Sequence, residues 1–325
     1  MGAREIAPYR RVFLIYNRFA GTISRRPKLF QRAVALLRES WPSLELVPTS
    51  GVGAGTALAR ECLARGADLV LAAGGDGTMN EVANGLICSD VPCGLLPGGT
   101  ANVLAMEVRC GGHMLRSAQQ LTRAIPVEIA VGKMTGAGGA DPRHFLLMAG
   151  AGVDARLVRR VDPELKRRLG KVAYWVGGLG QLGRPFPEFA VHLNGRSHRA
   201  SFALISRVRN YGGDLEIALG ADLLSEEFEV VLFQGSNSFT YLKYLAGIFS
   251  RRLRNMRGVH IEKARLVECT PLDSVTDVQL DGEAAGELPS RFEIVPRALR
   301  LLLPDKFLAS ARQRSEIELP TILRT

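Results

Sequence analysis

The stretch "LVLAAGGDGTMNEVANGL", residues 69–86, runs from an apolar segment through a glycine-rich turn into a helical pattern. Glycines at 74, 75 and 77 can adopt positive φ and let backbone approach a ligand closely. The N–H groups of such a turn and the positive end of the following helix then face an anion such as phosphate. Thr78 and Glu81 have the spacing of a capping box, which predicts a helix starting at Thr78. No lysine accompanies these glycines, yet Asp76 does. A carboxylate repels bare phosphate, so the pattern predicts donors or a cation beside it, with Mg²⁺ bridging phosphate oxygens as the natural candidate.

On both sides of this stretch, short apolar runs alternate with helical patterns over the first 125 residues. Strands are predicted at "RVFLIYN", "LELVPT", 68–73 and 93–97, and helices at 28–40, 55–65, 78–87 and 100–108. Such alternation indicates an α/β domain with a mostly parallel sheet, which binds ligands beyond the carboxyl ends of its strands. A second loop repeats the plan: "CGLLPGGTANVLA", 93–105, is a strand, two glycines, and Thr100 as an expected N-cap. "YNRFAG", 16–21, closes the first strand and Thr49 the second. "GVGAG", 51–55, lacks the spacing of a dinucleotide fingerprint.

Beyond residue 125 strand-like runs follow one another, at 127–134, 143–150, 189–194, 198–206, 227–234, 259–269, 276–281, 291–295 and 298–303. Helical patterns interrupt them at 154–182 and 238–251. Few crossover helices among many strands indicate a β-rich second domain. The expected division is 1–125, 126–304, and a C-terminal tail at 305–325.

The 325 residues suit two domains. A formal net charge of +10 suits a polyanionic partner, whether phosphorylated ligand, acidic membrane or nucleic acid. Aromatic residues at 6% without an interleaved stacking pattern argue against nucleic acid. Five cysteines at 62, 88, 93, 110 and 269 contain no C-x-x-C pair, which points to a reduced, cytoplasmic protein. No apolar run approaches the roughly 20 residues of a membrane span, so any membrane contact is expected to be peripheral.

"DVQLDGEAAGELP", 277–289, reads locally as a hairpin around Asp-Gly, with Asp281 and Glu283 forming a compact acidic pair. Taken in order, "GGDGTMNEVANGL", "LPGGTAN", "NYGGDLEIA" at 210–218 and "QLDGEAAGELP" resemble the diacylglycerol kinase catalytic-domain family, in particular the bacterial soluble lipid kinases related to sphingosine kinase. The resemblance runs from the first strand to about Pro304. It implies an NAD-kinase-like α/β domain followed by a β-sandwich-like domain, with the active site in the inter-domain cleft. It implies ATP bound with Mg²⁺ by Asn17, Thr49, Gly74, Gly75, Asp76, Gly77, Thr78, Met79, Asn80 and Thr100. Asp281 matches the family's general base, with Glu283 beside it as a catalytic partner, and transfer of the γ-phosphate to a lipid hydroxyl follows.

Three loops depart from the family pattern. "NRFAG" lacks a proline and a serine, Val103 stands where aspartate is usual, and "ADLLSEEFEV", 221–230, lacks the paired aspartates of a metal loop, so no metal ligands are assigned. These departures keep open a nucleotide- or lipid-binding protein with lost or weak catalysis, and an NAD-kinase-like enzyme remains the other alternative. Basic segments at 156–171 and 251–257 are expected to meet an acidic membrane surface that presents the lipid.

Overall fold

The computed structural model describes residues 9–110, 113–137, 142–152, 186–212, 215–235 and 237–322. The chain forms two units, Met1–Glu128 with Leu299–Thr325, and Ile129–Ala298.

In the first unit β1 (Val12–Tyr16), β2 (Glu45–Pro48), β3 (Leu69–Gly74) and β4 (Cys93–Pro97) lie parallel in the order β2-β1-β3-β4. All of β3 and β4 is buried, as parallel strands covered on both faces require. The helices are α1 (Gly21–Arg25), α2 (Pro27–Ser40), α3 (Ala54–Ala64), α4 (Asp76–Leu86), α5 (Val103–Glu107) and α6 (Met114–Leu121). On α2, Phe30, Ala33, Val34 and Leu37 recur at helical spacing and join a core with Leu14, Leu71 and Leu121.

Two helix starts differ from the sequence reading. Helix α4 begins at Asp76, with Gly75 as its N-cap and no side-chain cap bond. Thr78 is therefore inside the helix, and the expected capping box does not form. The Glu81 carboxylate instead accepts the N–H groups of Gly53 (2.7 Å) and Gly55 (2.9 Å), satisfying donors at the start of α3. The helix expected from Thr100 begins at Val103, after Asn102 in the left-handed conformation (φ 49°). The expected tail also has a place: after Leu301 pairs in parallel with Cys93, α7 (Asp305–Ile322) groups with the first unit, burying Phe307 and Ala311.

The second unit holds β6 (Arg143–Phe145), β7 (Met148–Gly152), β8 (Phe189–Leu193), β9 (Arg196–Ala200), β10 (Phe202–Ser206), β13 (Phe228–Phe233), β14 (Val259–Ala264), β15 (Leu266–Pro271), β16 (Asp277–Leu280) and β17 (Glu283–Glu287). Strands β5 (Ile125–Gly136) and β18 (Ser290–Leu303) run into it from the first unit, and a short pair, β11 (Asn210–Gly212) and β12 (Leu215–Glu216), stands apart. One sheet has the order β14-β13-β10-β7-β16-β17, and every pairing in it is antiparallel. The other contains β18-β15-β8-β9. Phe145, Phe189, Phe228, Phe292 and Val267 fill the core between the sheets, and the Phe145 and Phe228 rings stack at 5.7 Å. This is the β-rich sandwich expected. The predicted strands 291–295 and 298–303 are one strand, with a local irregularity at Arg297 (φ 48°). The helix expected at 238–251 spans Ser238–Phe249, whereas the pattern at 154–182 and the basic segment 156–171 lie outside the described residues.

No helix among the described residues is long and apolar enough to cross a membrane. All five cysteines are free thiols, and burial pushes Cys62 up to about 11 and Cys93 and Cys110 up to about 12.

Gly85 shows how tightly α3 and α4 approach. A Cβ there would lie 2.6 Å from both the Thr56 carbonyl oxygen and the Ala59 methyl group. Gly85→Ala improves helix propensity by about 1 kcal/mol, but the methyl must displace backbone, at a cost of about 1–3 kcal/mol. Net destabilisation is expected in urea denaturation. A more stable variant would show that the helices separate freely.

Candidate functional site

The carboxyl ends of four adjacent parallel strands carry the residues expected to hold a nucleotide: Thr49 after β2, Asn17 after β1, Gly74–Asn80 at the end of β3, and Thr100 after β4. Hydrogen bonds tie these ends together. Thr49 N–H donates to the Tyr16 carbonyl and Asn17 N–H to that of Ala73, each at 2.9 Å. Gly98 and Gly99 N–H both reach the Gly74 carbonyl, at 2.7 and 3.1 Å, while Thr22 N–H reaches that of Gly98 at 2.8 Å. The two glycine loops touch: a Cβ on Gly99 would be 2.5 Å from the Gly75 Cα. Here glycine is required because backbone packs on backbone.

Asp76 meets two backbone donors. Val103 N–H donates to one carboxylate oxygen at 3.0 Å and Leu104 N–H to the other at 3.1 Å. These are first-turn groups of α5, which has no partner for them within the helix. Burial holds the Asp76 carboxyl above its ordinary value, while the N–H bonds of Val103 and Leu104 pull it down. Asn102 completes the clamp: its Oδ1 accepts Gly99 N–H at 2.9 Å and its Nδ2 donates to the Gly99 carbonyl at 3.0 Å. Neither Asn102 nor Glu81 was singled out as a site residue. An asparagine three residues after a glycine turn, a residue type that tolerates left-handed backbone, is the available signal for the first.

The expected binding residues divide by what their side chains do. Met79 is buried in the core and can offer only backbone to a ligand. Thr49 and Thr78 are nearly enclosed, and the Asn80 amide oxygen accepts from Asn84 at 3.0 Å. Asn17 turns its own loop, its Oδ1 accepting Phe19 N–H at 2.9 Å, and Thr100 is exposed. Glycine-lined backbone beside the exposed Thr100 hydroxyl and the half-buried Asn17 amide fits a polyphosphate, which needs N–H donors and close approach.

In the second unit Asp281 and Gly282 form the turn between β16 and β17 with φ of 49° and 84°, the left-handed pair that Asp-Gly hairpins favour. The Asp281 carboxylate accepts N–H bonds from Leu146 (2.8 Å), Leu147 and Met148 (2.9 Å each), which lock its orientation. Glu283 is exposed at the start of β17. Arg207 is fully buried; its guanidinium donates to the carbonyls of Leu223 (2.6 Å) and Ser225 (3.2 Å). Burial lowers its pKa to about 10, and Asp222 and Asp281 act in the opposite direction. The 221–230 loop is thus organised around a cation supplied by the chain itself.

The diacylglycerol kinase catalytic domain matches residues 11–134, and the YegS C-terminal NAD kinase beta sandwich-like domain matches 148–303. The diacylglycerol kinase of Bacillus subtilis (strain 168) is 27% identical over 262 residues, covering 79% of this chain and 84% of its own. That of Staphylococcus aureus (strain bovine RF122 / ET3-1) is 24% identical over 309 residues, covering 91% and 93%. A crystal structure of a diacylglycerol kinase from Bacillus anthracis str. Sterne has a TM-score of 0.74 at 20% identity, covering 93% of this chain and 99% of that one. At that identity the likeness shows the fold.

Asp76→Asn offers one acceptor and a clashing amide to Val103 and Leu104, and is expected to cost about 1–3 kcal/mol. Because the folded chain binds the Asp76 proton more tightly than the unfolded chain, the stabilising contribution falls as pH rises through the raised value. The stability difference from the variant should therefore be larger at about pH 4 than at about pH 7 in denaturant titrations. The opposite trend would mean that the N–H bonds outweigh burial.

Proposed function

The chain belongs to the diacylglycerol kinase catalytic-domain family, and on that footing we propose that it is an ATP-dependent lipid kinase that transfers the γ-phosphate to the hydroxyl of a diacylglycerol-like lipid. The observation that carries this reading is the convergence of Asn17, Thr49, the Gly74–Asn80 loop and Thr100 at adjacent strand ends. Backbone N–H groups of the two glycine loops would meet the nucleotide's phosphates. Phosphoryl transfer depends mainly on positioning and charge neutralisation, so a loop lysine is dispensable when amides and Mg²⁺ share that work. Mg²⁺ enters as part of the MgATP substrate, and no residue of this chain is assigned as its ligand. Asp76 acts as a positioning residue that holds one loop against the other.

Asp281 is assigned as the general base that accepts the lipid hydroxyl proton, a role worth about 10²–10⁴ in rate. Its three N–H partners support the assignment because they hold the carboxylate ready in one orientation. Glu283 is assigned the supporting acidic position beside it. The lipid is expected to be collected from an acidic membrane surface, with exposed Arg251, Arg252, Arg254 and Arg257 among the contacts and Phe249, 70% exposed, beside them.

Transfer of labelled γ-phosphate from MgATP into a mixed total-lipid extract tests the proposal. Wild type should label a lipid with the mobility of phosphatidic acid, and Asp281→Asn should lose about 10²-fold or more of the rate. Asparagine suits the left-handed turn position, but its amide would face an N–H group of residues 146–148, so circular dichroism of the variant separates lost catalysis from lost folding. ATP binding without transfer to any lipid would replace the kinase with a nucleotide-binding protein that has lost catalysis.

A further inference from the structure

Away from the phosphate loops and the Asp281 turn, a cluster of ligating side chains stands at the open edges of the second unit's sandwich. Strand β9 ends one sheet and β14 ends the other. His198 lies on β9, while His260 and Glu262 lie two residues apart on β14 and so share a face. The His198 and His260 rings stack with centroids 4.3 Å apart, and His260 Nε2 is 3.0 Å from Glu262 Oε2. Among the described residues, the Nε2 of His198 is buried without a hydrogen-bond partner, a condition that calls for an explanation.

A ligand would supply one. One donor atom from each of the three residues lies within 4.8 Å of the others. Bonds of about 2.0–2.2 Å at a tetrahedral centre separate ligand atoms by roughly 3.4 Å, so a small closure of the side chains suffices. Two imidazoles and one carboxylate are the donor set of zinc-class divalent ions. We propose that His198, His260 and Glu262 form a binding site for such an ion, with solvent in the fourth position, which ties together the edge strands of the two sheets.

The surroundings position the carboxylate. Asn194, at the tip of the β8–β9 hairpin, donates to Glu262 Oε1 at 2.7 Å and to the Lys263 carbonyl at 2.8 Å, leaving Oε2 turned toward His260. Arg196 is the cation that opposes the ion, acting on both His198 and Glu262. Among the described residues β9 and β14 are edge strands, and such edges invite association with another chain.

The full-length protein, freed of metal by chelator dialysis, would be titrated with Co²⁺, read by its visible absorption, and with Zn²⁺ in competition with a chromophoric chelator. Wild type should bind one equivalent. His198→Gln, His260→Gln and the near-isosteric Glu262→Gln should each weaken binding by about tenfold or more, and Asn194→Ala by about tenfold through loss of Glu262 orientation. His192→Gln, exposed on β8 outside the cluster, should bind as wild type does. Circular dichroism of each metal-free variant separates lost binding from lost folding. Absence of saturable binding by wild type, or equal binding by folded ligand variants, would overturn the proposal and direct any residual metal to sites such as the exposed Cys88 thiol.

Discussion

Contact between two backbone turns governs the first unit. Gly99 packs so closely on Gly75 that a Cβ on Gly99 would lie 2.5 Å from the Gly75 Cα, and the Gly74 carbonyl receives N–H bonds from both Gly98 and Gly99. Glycines held this way lose much conformational entropy on folding. Asp76 and Asn102 offset that cost. The first reaches across to the amides that open α5, and the second brackets Gly99 from both sides. Parallel strand order brings the turns together, and these two side chains keep their donors in register. A loop fixed before its ligand arrives loses little further freedom on binding.

The carboxylate that looked out of place in an anion-binding turn is explained by the same contact. A lysine would add charge but could not accept the two amides of α5, and without an acceptor those buried donors would go unsatisfied. Asp76 therefore holds the start of α5 and the backbone of the two glycine turns in position. Arg207 plays the reciprocal part in the second unit, where a buried cation gathers the carbonyls of Leu223 and Ser225. Its charge stands within electrostatic reach of Asp281, whose carboxylate is itself held by amides of residues 146–148. In both units, charged side chains organise loops.

The proposed kinase reading gives these loops a common purpose, and the proposed ion site at the edge of the sandwich would add a separate one. The histidine pair and Glu262 belong to strands that take no part in the glycine loops or the Asp281 turn. Two packed sheets can separate at an edge, and an ion shared by both edges would resist that opening. Asn194 already bridges them with hydrogen bonds to Glu262 and the Lys263 carbonyl.

What the sequence determined was the alternation of elements, the turn residues and the candidate loops, because period, glycine placement and Asp-Gly pairing are local properties. The strands at 93–97 and 189–193 and the helix near 28–40 are legible from such patterns alone. The tertiary structure decided where each polar side chain spends its hydrogen bonds. Thr78 and Glu81 have the spacing of a cap, yet Glu81 serves α3, since the donors at Gly53 and Gly55 come from a helix that no local pattern places beside it. Asp76 binds amides 27 and 28 residues away, Asp281 binds amides more than 130 residues away, and His198 meets His260 across two sheets. A carboxylate or imidazole shows its type in the sequence, but its partner is chosen by packing, because hydrogen bonds and metal bonds act over only a few ångströms.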